Sequence, residues 1–263
     1  LQKQFKIKSM NYSRRSFLSK STAGAAAIVS IPTIVTAAMS PSKSETNGKY
    51  SIFEKNNTIL FQGDSITDAH REKEKELPNN PASFGSGYAF LAASSLLNAL
   101  PEKNLTLYNR GISGNKVFQL ADRWEKDCLN LNPDVLSILI GVNDYWHNRN
   151  GNYNGTVEVY ENDYGELLKR TLEKLPGVKL VICEPFYVLN TSAVDASWVS
   201  PMKKYQTAAK QMADEFSAVW VPFQKVFDEA VKHAPPTYWT GDGVHPSMAG
   251  AQLMAEAWLR AVE

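Results

Sequence analysis

An alternation along the chain narrows its fold more than any other feature. Short apolar runs rich in β-branched residues occupy positions 58–61, 105–108, 135–140, 179–183 and 218–221, each bounded on at least one side by Gly, Pro, Asn or Asp. Helical patterns lie between them at about 88–100, 117–129, 157–175 and 202–216, and a last one covers 247–262. Strands separated by helices cannot pair through hairpins, so neighbours must run parallel, with the crossover helices covering both faces of the sheet. The expected fold is therefore α/β, a mostly five-stranded parallel sheet between two helical layers. At 263 residues and 43% hydrophobic content, the chain suits one good-sized core and one folded domain, expected over 58–263.

Ligands of such sheets bind beyond the carboxyl ends of the strands. The segments that follow the strands are rich in functional polar residues: "GDS" after the first, "NRGISGN" after the second, "GVNDYWH" after the third and "EPF" after the fourth. Four loops meeting on one edge can build a site.

For Ser65 to attack a carbonyl it needs a base, a group to orient the base, and donors for the oxyanion. There are four histidines. His70 falls in the charged stretch "DAHREKEKE" and His233 near the end of a polar helix, both read as solvated. His147 lies close behind the third strand and is a second candidate base. His245 stands in "GDGVHPSMAG", three residues after Asp242. In a tight turn that spacing brings a carboxylate against Nδ1–H and leaves Nε2 facing a hydroxyl. Alone, D-x-x-H is a weak signal, because an Asp beside a helix start is more often an N-cap. Candidate oxyanion donors are the N–H groups of Ser65 and Gly114 and the amide of Asn143, although the glycine and the asparagine are also ordinary turn residues.

Taken together, "FQGDSITD", "NRGISGN", "GVND" and "DGVHP" resemble, in order and spacing, the four sequence blocks of the SGNH hydrolases, or GDSL esterases and lipases. The resemblance runs from about residue 59 to the last helix. It implies a flavodoxin-like three-layer α/β/α sandwich, Ser65 as nucleophile, His245 as base with Asp242 as its partner, and Ser65, Gly114 and Asn143 as the oxyanion hole. It also implies no metal and no organic cofactor. Asp64 and Asp144 read as structural, bonding loop backbone, and Asp68 as a background loop residue. Other catalytic motifs fail: Thr67 stands where a lipase elbow G-x-S-x-G needs its second glycine, "GSGYAF" lacks the third glycine of a dinucleotide loop, and "GISGNKV" is out of step with a phosphate-binding loop.

Substrate class is less sharply written. The blocks are most similar to the bacterial branch of the family that includes carbohydrate acetylesterases. Loop aromatics (Tyr145, Trp146, Tyr153, Trp198, Tyr238 and Trp239) suit stacking on sugar rings, though most such residues pack cores. The expectation is an esterase acting on small acyl esters, acetyl above all, of a small molecule or polysaccharide, with His147 and Trp146 as candidate substrate contacts. A lipid or aryl-ester hydrolase is the alternative, and an inactive carbohydrate-binding protein is the alternative of another class. The loop from 68 to 83 reads as a charged, solvated flap or a gate.

The first forty residues hold six basic and no acidic side chains, so the formal charge of +1 leaves the remainder at −5. A mildly acidic body without a basic stripe disfavours nucleic acid as a partner. "SRRSFLSK", with Arg14 and Arg15, followed by an uncharged Ala-rich run, resembles a bacterial twin-arginine export signal over 1–38, with Lys20 one place later than usual. A polar linker is expected over 39–57. The protein is therefore expected to be exported, periplasmic or extracellular, and not held in the membrane after processing. The two cysteines, Cys128 and Cys183, read as buried free thiols.

Overall fold

The computed structural model describes residues 49–263. The expected export segment and residues 39–48 of the expected linker lie outside the described residues. Five strands, β1 (Thr58–Gly63), β2 (Thr106–Asn109), β3 (Val135–Leu139), β4 (Lys179–Cys183) and β5 (Val219–Val221), form one parallel sheet in the order β2-β1-β3-β4-β5. This is the flavodoxin-like order, whose topological switch point lies between β1 and β3.

Among the described residues, ten α-helices occur in chain order: α1 (Ser65–Asp68), α2 (Pro81–Phe84), α3 (Tyr88–Ala99), α4 (Val117–Asp127), α5 (Val142–Arg149), α6 (Val157–Lys174), α7 (Val199–Glu215), α8 (Phe223–Ala230), α9 (Pro236–Trp239) and α10 (Met248–Ala261). One layer packs α10 against α3 and α8, and the other packs α6 against α4 and α7. The period of two along the strands assigns each side chain to a layer. Phe61 of β1 stands in register with Ser137 of β3. Both meet Trp258 of α10, whose ring lies 4.9 Å from that of Phe61 and whose Nε1–H donates to Ser137 Oγ at 2.9 Å. One residue on, Gln62 faces the opposite layer and donates to Asp127 O at the end of α4, at 2.7 Å. Trp258 is fully buried, and removing a ring of this kind costs about 3–5 kcal/mol.

Three expectations change. Residues 50–57, read as linker, belong to the folded unit: Tyr50 and Phe53 are buried, and the Phe53 ring stacks 6.2 Å from Trp258. Two aromatics in a polar run carry no period to reveal this. "GVNDYWH", read as a loop, opens helix α5, where Tyr145 is buried against Trp198 (5.0 Å) and Tyr205 (5.9 Å). The 68–83 segment, read as a charged, solvated flap or a gate, is largely exposed but anchored to the sheet at Asn79. Asn79 N–H donates to Leu107 O (3.0 Å), Asn79 Oδ1 accepts from Leu107 N–H (2.8 Å) and Asn79 Nδ2 donates to Leu105 O (2.9 Å), so the segment covers the free edge of β2.

Candidate active site

The chain turns from β1 directly into α1. Asp64 caps that helix, its Oδ1 accepting from Ile66 N–H at 3.0 Å, which sets Ser65 at the helix start beyond the sheet edge. Ser65 Oγ lies 2.8 Å from His245 Nε2, and His245 Nδ1 lies 2.6 Å from Asp242 Oδ2. The second Asp242 oxygen accepts the N–H groups of Val244 (2.9 Å) and His245 (2.8 Å), which fixes the turn before α10. A carboxylate at Nδ1 holds the proton there, so Nε2 carries the lone pair that can take the serine proton.

The electrostatics agree with that division. Burial pushes the Asp242 carboxyl up, but the imidazole and the two N–H donors outweigh it and hold the group at about 2. His245 is raised above the usual imidazole value, chiefly by its bond to Asp242, against partial burial, with the charges of Asp242 and Asp64 adding.

Three separate segments carry the candidate donors. Gly114 has φ +82°, a conformation that favours glycine, and the space where a Cβ would sit is empty. Asn143 lies in the first turn of α5 and is buried, with one amide proton given to Asn115 O (3.2 Å) and the other available. Among the described residues, no acceptor takes the N–H of Ser65 or of Gly114.

These segments are stitched together by side chains that the sequence reading passed over. Asn109, at the end of β2, donates to Thr67 O (2.6 Å) and Phe84 O (2.9 Å) and accepts from Gly111 N–H (2.9 Å). Asp68, read as background, is fully buried, and its Oδ2 accepts from Ser113 N–H (3.0 Å) and Ser113 Oγ (2.6 Å), with Lys73 Nζ at 2.9 Å. It therefore fixes the residue next to Gly114. Burial raises the Asp68 carboxyl, but the bonds from Ser113 and Lys73 bring it below the usual carboxylate range. Asp144 does the structural work expected of it, accepting from Val117 N–H at 3.1 Å. Asp64 and Asp144 are fully buried, and desolvation pushes each to about 7.

The remaining candidates separate. His147 makes no bond to Ser65, and its Nδ1 lies 3.1 Å from Lys116 Nζ. His233 is exposed, as expected. His70 is also exposed but stands on the rim of the cleft beside Ser65. Of the loop aromatics, Trp146 lies against His245, with ring centroids 6.4 Å apart. Tyr145 and Trp198 are core residues, which corrects their reading as sugar-stacking candidates. Both cysteines are free and buried, and desolvation pushes Cys183 up to about 12.

The cleft beside Ser65 has a volume of about 260 Å³ and is walled by Ala69, Gly87, His245 and Met248 among others. A larger groove of about 580 Å³, between α5, α6 and α7, contains neither Ser65 nor His245. Among the described residues, no helix is long and apolar enough to cross a membrane.

Residues 61–253 match the family described as GDSL-like Lipase/Acylhydrolase. An acetylxylan esterase of Geobacillus stearothermophilus is 35% identical over 213 residues, covering 78% of this chain and 93% of that protein. A solved structure of a GDSL-like lipase protein from Parabacteroides merdae ATCC 43184 superimposes with a TM-score of 0.79 at 51% identity, over 80% of this chain and 97% of that one. The crystal structure of Axe2, an acetylxylan esterase from G. stearothermophilus, gives 0.71 at 32% identity, over 80% of this chain and 95% of that one.

Proposed function

Because the chain belongs to the GDSL-like lipase/acylhydrolase family and is a carboxylic ester hydrolase, we propose that it removes acetyl groups from carbohydrate esters through an acyl-enzyme on Ser65. His245 Nε2 takes the proton of Ser65 Oγ as that oxygen adds to the ester carbonyl. The negative charge formed on the carbonyl oxygen is received by the N–H groups of Ser65 and Gly114 and the free amide proton of Asn143. His245 then passes the proton to the departing sugar oxygen, which leaves as the free hydroxyl. In the second half, His245 takes a proton from water as it adds to the acyl-serine, and returns it to Ser65 Oγ as acetate departs. Asp242 stays ionised throughout and stabilises the imidazolium.

The observation that carries this reading is the hydrogen-bonded relay Ser65–His245–Asp242 beside a cleft of about 260 Å³. A Cβ on Gly87 would come within 2.6 Å of the Ala69 Cβ, so these two small residues pack tightly against each other in the wall of the cleft. The acetylxylan esterases among its relatives support the sugar as the alcohol. The test is acetate release from acetylated xylo-oligosaccharides, measured beside hydrolysis of 4-nitrophenyl esters of increasing chain length. Preference for acetyl and rapid deacetylation of the sugar are expected. A preference for acyl chains of eight or more carbons would overturn the reading.

A further inference from the structure

One cluster joined to the candidate oxyanion residues takes no part in the relay. His147 sits four residues after Asn143 on α5, so the two side chains share a helix face, and the helical side-chain direction tips His147 back towards that amide. Trp146, one residue earlier, reaches His245. His147 is half-buried, and its Nδ1 is 3.1 Å from the Lys116 ammonium. An ammonium can only donate, so Nδ1 must be the acceptor and the ring proton must sit on Nε2. The interaction thus makes His147 a neutral imidazole whose other ring nitrogen, Nε2, carries the N–H donor.

Lys116 is not free to leave. It is 7% exposed, and its ammonium lies over the rings of Phe118 (5.5 Å) and Tyr153 (5.3 Å), which stack on each other at 5.6 Å. The Tyr153 ring takes that place only because residue 155 is glycine: a Cβ there would lie 2.2 Å from the ring. Lys116 and Gly114 share one short loop, and the neighbouring Asn115 O accepts the Asn143 amide. The aromatic pair, the lysine and the histidine therefore form one assembly continuous with the candidate oxyanion loops.

We propose that His147 is a specificity-determining residue whose Nε2–H donates to an oxygen of the sugar alcohol being deacetylated, with Lys116 a positioning residue that fixes this tautomer. The inference rests on the carbohydrate reading above and names the side chain that grips the alcohol. The charged and titratable groups facing His147 and its lysine are Lys116 itself, Asp144 and Tyr153, with Asp163 behind the tyrosine. Burial and the Lys116 charge both hold His147 below the usual imidazole range.

Four measurements test it. His147→Leu should lower kcat/KM for an acetylated xylo-oligosaccharide about two- to tenfold more than for 4-nitrophenyl acetate, mainly through KM, since one neutral hydrogen bond is lost. His147→Gln, which keeps an N–H donor, should recover part of that difference. Lys116→Met removes the donor that fixes the ring, so the nitrogen shifts of His147 in that variant should report a mixture of the two neutral tautomers, and unchanged shifts would count against Lys116 as the positioning residue. In the unaltered protein, the nitrogen shifts of the His147 ring should report the neutral Nε2–H tautomer at pH 7. Equal losses on both esters in the two His147 variants, or an Nδ1–H ring, would overturn the proposal. If the unaltered enzyme does not deacetylate sugars at all, the carbohydrate reading fails, while the ring shifts still decide the Lys116–His147 arrangement.

Discussion

Asp242 and Asp144 flank one site and both accept backbone N–H bonds, yet their carboxyls stand at opposite ends of the range. Asp242 is partly open to solvent and takes the imidazole and two N–H donors, which hold it at about 2. Asp144 is almost wholly buried, takes one N–H on Oδ1, and has no partner for Oδ2 among the described residues, so desolvation carries it to about 7. Asp64 repeats the second pattern behind the serine. The number of donors set against burial decides which carboxyl carries charge. The region around Asp242 is built to keep an anion beside a base, whereas the region around Asp64 and Asp144 is built to hold loops in place.

The sharpest way to break that contrast is Asp242→Asn. Without the carboxylate the imidazole loses its tautomer and its partner, and kcat should fall by about 10³–10⁴. The pH profile should move as well. His245 must be neutral to act, and its pKa is raised, so activity is lost as pH falls through a value above the usual imidazole range. In the variant the main raising cause is gone, and the acid limb should shift to lower pH in a kcat/KM profile on 4-nitrophenyl acetate. An unmoved limb would contradict the assignment.

Asn143→Ala should cost about 10²–10³ in kcat with a much smaller change in KM, because the amide acts on charge that develops only in the transition state. A loss confined to KM would count against the oxyanion role. Asp68→Ala leaves the Ser113 N–H and hydroxyl unpaired and should destabilise the fold by about 1–3 kcal/mol in urea, with kcat falling as the Gly114 loop loosens. Unchanged stability and turnover would return Asp68 to the background.

The smallest effect tests the other half of the contrast. An unfolded Asp releases its proton near pH 4, whereas Asp144 in the fold holds it to about 7. The native state therefore binds more protons than the unfolded state across that window, and its stability falls as pH rises through it. An asparagine side chain at this position has no proton to lose and can still accept from Val117 N–H. The Tm of Asp144→Asn relative to the unaltered protein should accordingly be higher at pH 8 than at pH 5, by at least about 2 °C. No growth of that gap with pH would mean that Asp144 is ionised in the fold.

The sequence showed the sheet and the relay for different reasons. Strands buried on both faces must be continuously apolar, and the helices that cover them must be amphipathic, so both leave a period to read. Asp242 and His245 are close in sequence, but their spacing alone also describes a helix N-cap, and it is the resemblance of the four blocks to the SGNH hydrolases that singles them out. What stayed hidden depends on contacts between distant positions. Asp68 looks like any loop acid until Ser113, 45 residues on, is placed against it. Tyr50 and Phe53 show no pattern until Trp258 lies beside them. Helix α5 escaped because Asn143 and Asp144 in its first turn are turn-forming residues, and tertiary burial of Tyr145 overrides that preference.

The most direct test of the relay is covalent. A fluorophosphonate reacts with a serine only when a neighbouring base makes it nucleophilic, and peptide mapping by mass spectrometry then reports the modified residue. The unaltered protein should carry one adduct, on Ser65, formed with the pH dependence of His245, and Ser65→Ala should carry none. An adduct that persists in Ser65→Ala, or a protein that hydrolyses esters while Ser65 stays unmodified, would contradict the account.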